Sequence, residues 1–304
     1  MDLKTSEMQT INTYSKGVKL LIAVILLFFM SCRSTQVFQN SEYSSIKKEK
    51  RLIKLSSQLK ESSGLLMIND YFLSFNDSGG RNILYAFKKE NPETIIEIFV
   101  PGAVNVDWED ICMDASYLYI ADIGNNFGSR DTLTIYRLLI EELFTEIKKI
   151  DKIEYSYLEK SPSYFNCWKN PFDCEACIIK DDSLWLFSKN WQDESSRIYK
   201  LPTIPGHYTI KEDSKIIPKM LVTGATYDKN SDRLWLIGYH NFYPIIHSYT
   251  WENTILNPEI KHIFKNHIGL QTEAIFIGDD GNIFFTNEKS IRKASLWEFG
   301  EYLR

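Results

Sequence analysis

Between residues 60 and 300, apolar residues fall in short runs separated by acidic, asparagine or glycine turns, and the runs recur in sets. Five segments open alike: Glu61-Ser62-Ser63-Gly64-Leu65, Trp108-Glu109-Asp110-Ile111, Cys174-Glu175-Ala176-Cys177-Ile178, Thr223-Gly224-Ala225-Thr226 and Thr272-Glu273-Ala274-Ile275. Counted from Glu61, Glu109, Glu175, Gly224 and Glu273, the intervals are 48, 66, 49 and 49 residues. Each opening leads into an apolar run, a turn such as Asn69-Asp70 or Asp181-Asp182, and a second run. The second runs are Tyr71–Phe75, Tyr117–Ala121, Leu184–Ser188, Leu234–Gly238 and Ile283–Thr286. Alternation, aromatic and β-branched enrichment and regular turn punctuation predict strands. Three or four strands in a unit of this length predict an all-β fold, a β-propeller of five blades. The 66-residue interval leaves six blades as the alternative, and its segment Ile140–Lys152 reads as a helix or a charged hairpin. Arg51–Leu55 precedes the first opening and is expected to close the ring as the outer strand of the last blade, leaving no free sheet edge.

Ahead of the repeats, the pattern changes. Leu20–Met30 is an unbroken apolar stretch, preceded by Lys16 and Lys19 and followed by Ser31 and Cys32. A membrane span needs about 20 apolar residues, so this shorter stretch fits a secretory signal. Phe29-Met30-Ser31-Cys32 resembles the lipobox of bacterial lipoproteins, in which the cysteine is acylated and becomes the first residue of the mature chain. The division expected is a signal peptide over 1–31, a lipidated tether over 32–50 and one propeller domain over 51–304. Arg33 follows the cysteine and no acidic run does, which favours the outer membrane of the cell envelope. Lys47, Lys48, Lys50 and Arg51 make a basic patch beside the anchor.

Composition narrows the partners. The chain of 304 residues is 44% hydrophobic and 14% aromatic, with a net charge of −5. That balance suits a packed core and disfavours nucleic acid, which calls for a basic surface. The expected partners are the membrane, through the lipid, and a small molecule, glycan or protein at the end of the propeller channel. Beyond Cys32 stand Cys112, Cys167, Cys174 and Cys177, an even number that permits two disulfides. Cys167 and Cys174 are expected to staple a loop; a zinc site would need Cys112 to complete it.

The first strand of a blade lines the central channel, and its start lies at the same end as the finish of the second strand. Glu61, Glu109, Glu175 and Glu273 are therefore expected to ring one mouth, with Asn76, Asp77, Asp122, Lys189, Asn190, His240, Asn287 and Glu288 at the ends of the second strands. Asp110, Asn125 and Asn126 join them. Such acids either tie neighbouring blades by accepting backbone N–H bonds, or converge and need a cation, a proton or a basic partner. Calcium takes roughly six to eight oxygen ligands, and this set offers oxygen rather than the sulfur and imidazole that suit zinc or copper. Glu109 and Asp122 are the leading candidates, then Glu61, Glu175 and Glu273, with Asn76 and Asn125 as amide ligands. His240 is the single histidine expected at the mouth. Trp108, Trp185, Trp235 and Trp297 read as packing between blades, and Trp191 as either packing or a stacking platform.

Asp107-Trp108-Glu109-Asp110-Ile111 and Asp122-Ile123-Gly124-Asn125-Asn126, with Asn76-Asp77-Ser78-Gly79, resemble a widespread group of bacterial β-propeller lipoproteins over most of residues 60–300. More distantly, the openings are similar to the calcium-dependent propellers of gluconolactonases, paraoxonases and strictosidine-synthase-like proteins, and to esterase-like phytase propellers. The resemblance implies a metal at the channel mouth and hydrolysis of an ester, lactone or phosphoester. Gly64 alone occupies the glycine position of the Glu-x-x-Gly openings and Gly224 stands in place of a glutamate, so no catalytic base carries over.

If Cys32 bears the anchor, Cys32→Ala moves the protein from the membrane to the soluble fraction on cell fractionation, because acyl chains supply the attachment. Retention of the variant in the membrane with an uncleaved apolar stretch rejects a lipoprotein.

Overall fold

A computed structural model describes residues 49–146, 148–159 and 170–300. Cys32, the signal stretch and Cys167 lie outside the described residues. Five antiparallel blades follow one another along the chain. The first holds β2 (Ser62–Ile68), β3 (Tyr71–Asn76), β4 (Ile83–Lys88) and β5 (Asn91–Phe99). The second holds β6 (Trp108–Met113), β7 (Tyr117–Asp122), β8 (Leu133–Leu139) and β9 (Ile150–Tyr157). The third holds β10 (Cys174–Lys180), β11 (Ser183–Ser188), β12 (Ser196–Pro202) and β14 (Glu212–Ile216). The fourth runs β15 (Leu221–Asp228), β16 (Arg233–His240), β17 (Tyr243–Glu252) and β18 (Ile255–Ile263), and the fifth β19 (Thr272–Ile277), β20 (Ile283–Asn287) and β21 (Ser295–Phe299). The fold is the five-bladed propeller that the repeats predict.

The ring closes through β1 (Lys50–Lys54), which pairs antiparallel with β21, Arg51 opposite Trp297 and Lys54 opposite Ser295. Lys50, expected in the tether, is thus a strand residue, beside Arg51, where the closing strand was expected to begin. Leu52 and Ile53 pack against the core shared by the fifth and first blades.

Each blade is covered on both faces by its neighbours, so apolar residues occupy both faces of the inner strands, as in the run Leu184–Phe187. The core is accordingly divided into five clusters, one in each seam between blades. Trp108 shows the arrangement. It is fully buried between the first and second blades, edge-on to Phe75, with its indole N–H donating to the Val104 carbonyl at 3.0 Å. Trp185, Trp235 and Trp297 are buried in the same manner. The Asn69-Asp70 and Asp181-Asp182 turns hold both residues at positive φ, as type I′ hairpins require.

Ile140–Lys152 is not an α-helix; it links β8 to β9, which pair antiparallel. A short 3₁₀ turn at Ile140–Glu142 leads on to β9, which starts at Ile150. The long interval also serves an extra strand from the next blade. β13 (Gly206–Ile210) leaves the third blade after β12 and pairs parallel with Ile153–Tyr157 of β9, giving the second blade a fifth strand.

Comparing the chain from residue 49 with the chain from residue 56 isolates the closing strand. Loss of β1 bares the β21 edge and is expected to lower the thermal midpoint by several degrees and promote self-association, read by light scattering. Equal midpoints and a monomeric shorter chain would show that β1 does not hold the ring shut.

Candidate functional site at the acidic channel mouth

β2, β6, β10, β15 and β19 are the innermost strands and contact one another in a closed circuit about the axis. Each carries a break in register near its start: between Trp108 and Asp110, Cys174 and Ala176, Val222 and Gly224, and Thr272 and Ala274. The residues left unpaired are Glu109, Glu175, Thr223 and Glu273. A bulge re-aims the extra side chain, and here it supplies the acids of the mouth. In the first blade the break falls later, after Ser63, and Gly64 takes φ 61° there. A side chain at Gly64 would also strike Phe75 at 2.7 Å.

The pairing corrects the alignment read from sequence. Trp108, Cys174, Thr272 and Ser62 pair with Asp122, Ser188, Asn287 and Asn76 respectively. The counterpart of Glu109 is therefore Ser63 in the first blade and Thr223 in the fourth, not Glu61 and Gly224. Glu61 occupies the position of Asp107 and Asp173; it is exposed, and its carbonyl accepts the Asp77 N–H as the Asp173 carbonyl accepts that of Lys189.

Asp77, Asp107 and Glu109 present carboxylate oxygens within 4.8 Å of one another. Glu109 is buried, and neither its carboxylate nor that of Asp107 accepts a hydrogen bond from a described residue. Asp173, Glu175, Glu273 and Glu288 surround the trio closely enough to perturb it or one another. Against these seven acids stands Lys189, buried, with Nζ at 2.9 Å from Glu175. Gly124 is necessary here for space: a Cβ on it would lie 2.1 Å from Oε1 of Glu109 and 2.3 Å from Oδ2 of Asp107.

The electrostatic cost is visible in the protonation. Burial, then Asp107 and Glu175, push the Asp77 carboxyl up to about 7. Burial and Glu175 push Asp107 up to about 6. Burial and Glu61 push Glu288 up to about 7. Glu109, Asp173 and Glu273 are held well above the usual carboxylate range, by burial first in each case. Unpaired buried carboxylates either bind protons or neutralise one another through a cation.

The remaining acids and amides have other employment. Asp122 pairs with Arg130 at 2.9 Å and accepts the Asp107 N–H, so it stands outside the trio. Asp110 is not at the mouth surface. It is fully buried and its Oδ2 accepts the N–H groups of Cys177 at 2.9 Å and Ala225 at 3.4 Å, bracing the second blade against the third and fourth. Burial pushes its carboxyl up to about 8. Asp173 accepts the Asn125 N–H at 2.8 Å. The role of tying blades thus falls to Asp110 and Asp173. Asn76 caps Lys60 and Glu61 through Oδ1, and the Asn125 side chain closes its own loop on Arg130. Asn190 and Asn287 spend their side chains on Gln192 and Ser195, and on Trp297 and Lys293. His240 holds Glu194 at 2.6 Å, and Asn126 is half-buried on the loop beside Asn125. Trp191 packs edge-on to Tyr239, with Lys189 over both rings.

Asp107 and Asp173 were missed as site residues. Their signal was present: both lead an Asp-x-Glu opening, Asp107-Trp108-Glu109 and Asp173-Cys174-Glu175.

A scan against protein-family models and a search of the curated proteins find no match. Among solved structures, a glucose dehydrogenase superposes with a TM-score of 0.52 at 10% identity, over 84% of this chain and 100% of that one. A second glucose dehydrogenase structure gives 0.50 at 10% identity over 84% and 100%. A putative gluconolactonase gives 0.48 at 9% identity over 86% and 94%. At such identities the likeness is one of fold.

A group whose folded-state pKa is raised binds protons more tightly folded than unfolded. Its stabilising proton is lost as pH rises from the unfolded value toward the folded one. In chelator, the thermal midpoint is therefore expected to fall between about pH 4 and pH 8, each group adding a slope of up to about 1.4 kcal/mol per pH unit. A midpoint that rises through pH 6–8 would contradict this charge balance.

Proposed function

We propose that this chain is an exported, lipid-anchored propeller whose acidic mouth binds a divalent cation, calcium by its donor chemistry, and with it a ligand. The observation that carries the reading is the trio of Asp77, Asp107 and Glu109, with oxygens within 4.8 Å and all three carboxyls pushed upward by burial and neighbouring acids even with Lys189 and Arg130 close by. All-oxygen donors favour a hard cation. Three carboxylates supply only part of the coordination calcium prefers, so positions remain for water and for oxygen atoms of a ligand. The loops at this end also expose Val104, Val106, Phe127, Phe242, Ile268 and Ile291. An apolar rim around a charged centre suits a small molecule, glycan or protein with an oxygen-rich head and an apolar flank.

A second reading, calcium-assisted hydrolysis of an ester, lactone or phosphoester, draws on Glu288. It stands outside the trio with its carboxyl pushed up to about 7 by burial and Glu61, the range in which a general base works at neutral pH.

Calcium titration of the purified chain at pH 8, followed by melting, tests the cation. At a hundredfold excess over Kd the folded state gains about 2.7 kcal/mol, and the midpoint rises. Because the ligands must be deprotonated, the gain shrinks at pH 5.5. Glu109→Gln is expected to raise the midpoint in chelator, by removing one repelling charge, and to blunt the calcium response. Identical melting curves in chelator and millimolar calcium reject the cation site. Turnover of an ester, lactone or phosphoester panel that is lost in Glu288→Gln, with calcium stabilisation kept, selects the hydrolase.

A further inference from the structure

The seam between the second and third blades is fastened more heavily than its function as a packing surface requires. Outside, β13 crosses from the third blade to pair with β9 of the second, and Arg137 donates to the Thr203 carbonyl at 3.0 Å. At the mouth, Asn125 N–H donates to Asp173. Within the channel, Asp110 of β6 accepts the Cys177 N–H of β10. Just beneath that contact, Cys112 of β6 and Cys177 of β10 bring their sulfurs to 3.2 Å. Both are free thiols, Cys177 fully buried and Cys112 nearly so.

We propose that Cys112 and Cys177 form a disulfide that joins the innermost strands of the second and third blades. The two sulfurs already face each other at 3.2 Å from strands tied together by Asp110, so the bond needs them to approach by about 1.2 Å. The pair also lines a cavity of about 370 Å³ whose wall includes Met67, Met113, Tyr227 and Phe276. The hairpin turns at Asp114 and Asp279 border it, which places it at the end of the channel opposite the acids. A small oxidant therefore has a route to Cys112. Cys174 has a different occupation: it is buried in the core of the same seam and its sulfur accepts the Tyr157 hydroxyl at 3.2 Å. The proposed pair joins residues 65 positions apart and shares no cysteine with the Cys167–Cys174 pairing that the sequence suggests, of which Cys167 lies outside the described residues.

The location has a physical reason. Glu109 and Asp107 repel Glu175 across this seam; Glu109 stands three residues before Cys112 and Glu175 two before Cys177. A covalent bond at that level keeps the blades from spreading where their charges push them apart. The oxidant is a small-molecule or protein disulfide. The Cys112 thiolate attacks one of its sulfurs, expelling a thiolate and leaving a mixed disulfide on Cys112. Cys177 then attacks the Cys112 sulfur, closing the bond and expelling the second thiolate. The two protein protons end on the two released thiols; the cysteines lose two electrons and the oxidant gains them. Burial pushes both protein thiols above their ordinary pKa, so the step belongs to the closing of the ring, before the pair is sealed.

The full chain, denatured and reduced, is refolded in reduced and oxidised glutathione, alkylated and mapped by mass spectrometry. Neither export nor a cation is needed, so the result is independent of the function proposed above. The expected species joins the Cys112 and Cys177 peptides, with Cys174 alkylated. Alkylated Cys112 and Cys177 in the refolded protein, or linkage of Cys177 to Cys167 or Cys174, overturns the proposal. Reductant is expected to lower the midpoint of the oxidised protein by about 10 °C. The double variant Cys112→Ser, Cys177→Ser melts with the reduced protein and ignores reductant, whereas Cys174→Ser keeps the response. A reductant response that survives in the double variant sinks the idea.

Discussion

Repulsion among carboxylates in a desolvated channel mouth is the constraint to which the rest of this molecule answers. Two unit charges about 4 Å apart repel by roughly 4 kcal/mol at an effective dielectric of 20. Here seven acids share one end of an axis with Lys189 as their buried counter-charge. The fold creates this problem deliberately, since the acids Glu109, Glu175 and Glu273 are aimed inward by bulges at the start of their strands. It then restrains the consequences. Gly124 withdraws its own bulk from the carboxylates, Asp110 braces three blades from below, and Asp173 takes a backbone donor from the second blade.

The five seams are not equal under that load. The acids are densest on the second and third blades, and those blades share the extra strand, the Asn125–Asp173 bond and the paired cysteines. The fourth blade contributes Thr223 to the ring, and its hydroxyl donates to the Thr272 carbonyl at 2.7 Å. A neutral position there lets that seam do without a cross-brace of comparable weight. The first blade likewise presents Ser63. The first blade's own acid at the mouth, Asp77, comes instead from the end of β3 and joins Asp107 and Glu109 of the second blade.

The repeats made the propeller, its five blades and its closing strand legible, because burial on both faces of every blade leaves dense apolar runs between turns. The glutamates at the second, third and fifth openings were legible for the same reason. Glu61 was misleading because the bulge of the first blade slides to Gly64, and a shift of two residues keeps the spelling of a motif while changing its place on the strand. Amide side chains such as Asn76 and Asn125 were assigned to a metal because spacing says nothing of which local N–H they satisfy. The Cys112–Cys177 approach was hidden for a different reason. It depends on two strands from separate blades meeting at the axis, while the sequence neighbour Cys174, buried in the same seam, meets the Tyr157 hydroxyl instead.

The closing strand sets an order of events. β1 belongs to the first residues of the domain and β21 to the last, yet each is the other's partner. A chain appearing from its N-terminus cannot complete the fifth blade until residue 299 is available, so Lys50–Lys54 must wait while the intervening blades assemble. The contact joins the most distant parts of the domain, and forming it late is the entropically expected course. Until then the ring is an open arc. Its inner strands can still move apart, and its acids, whatever their final neutralising partner, have not all been driven together. The last hydrogen bonds made at the rim therefore set the fifth blade, with Glu273 and Glu288, against the acids already gathered on the first and second.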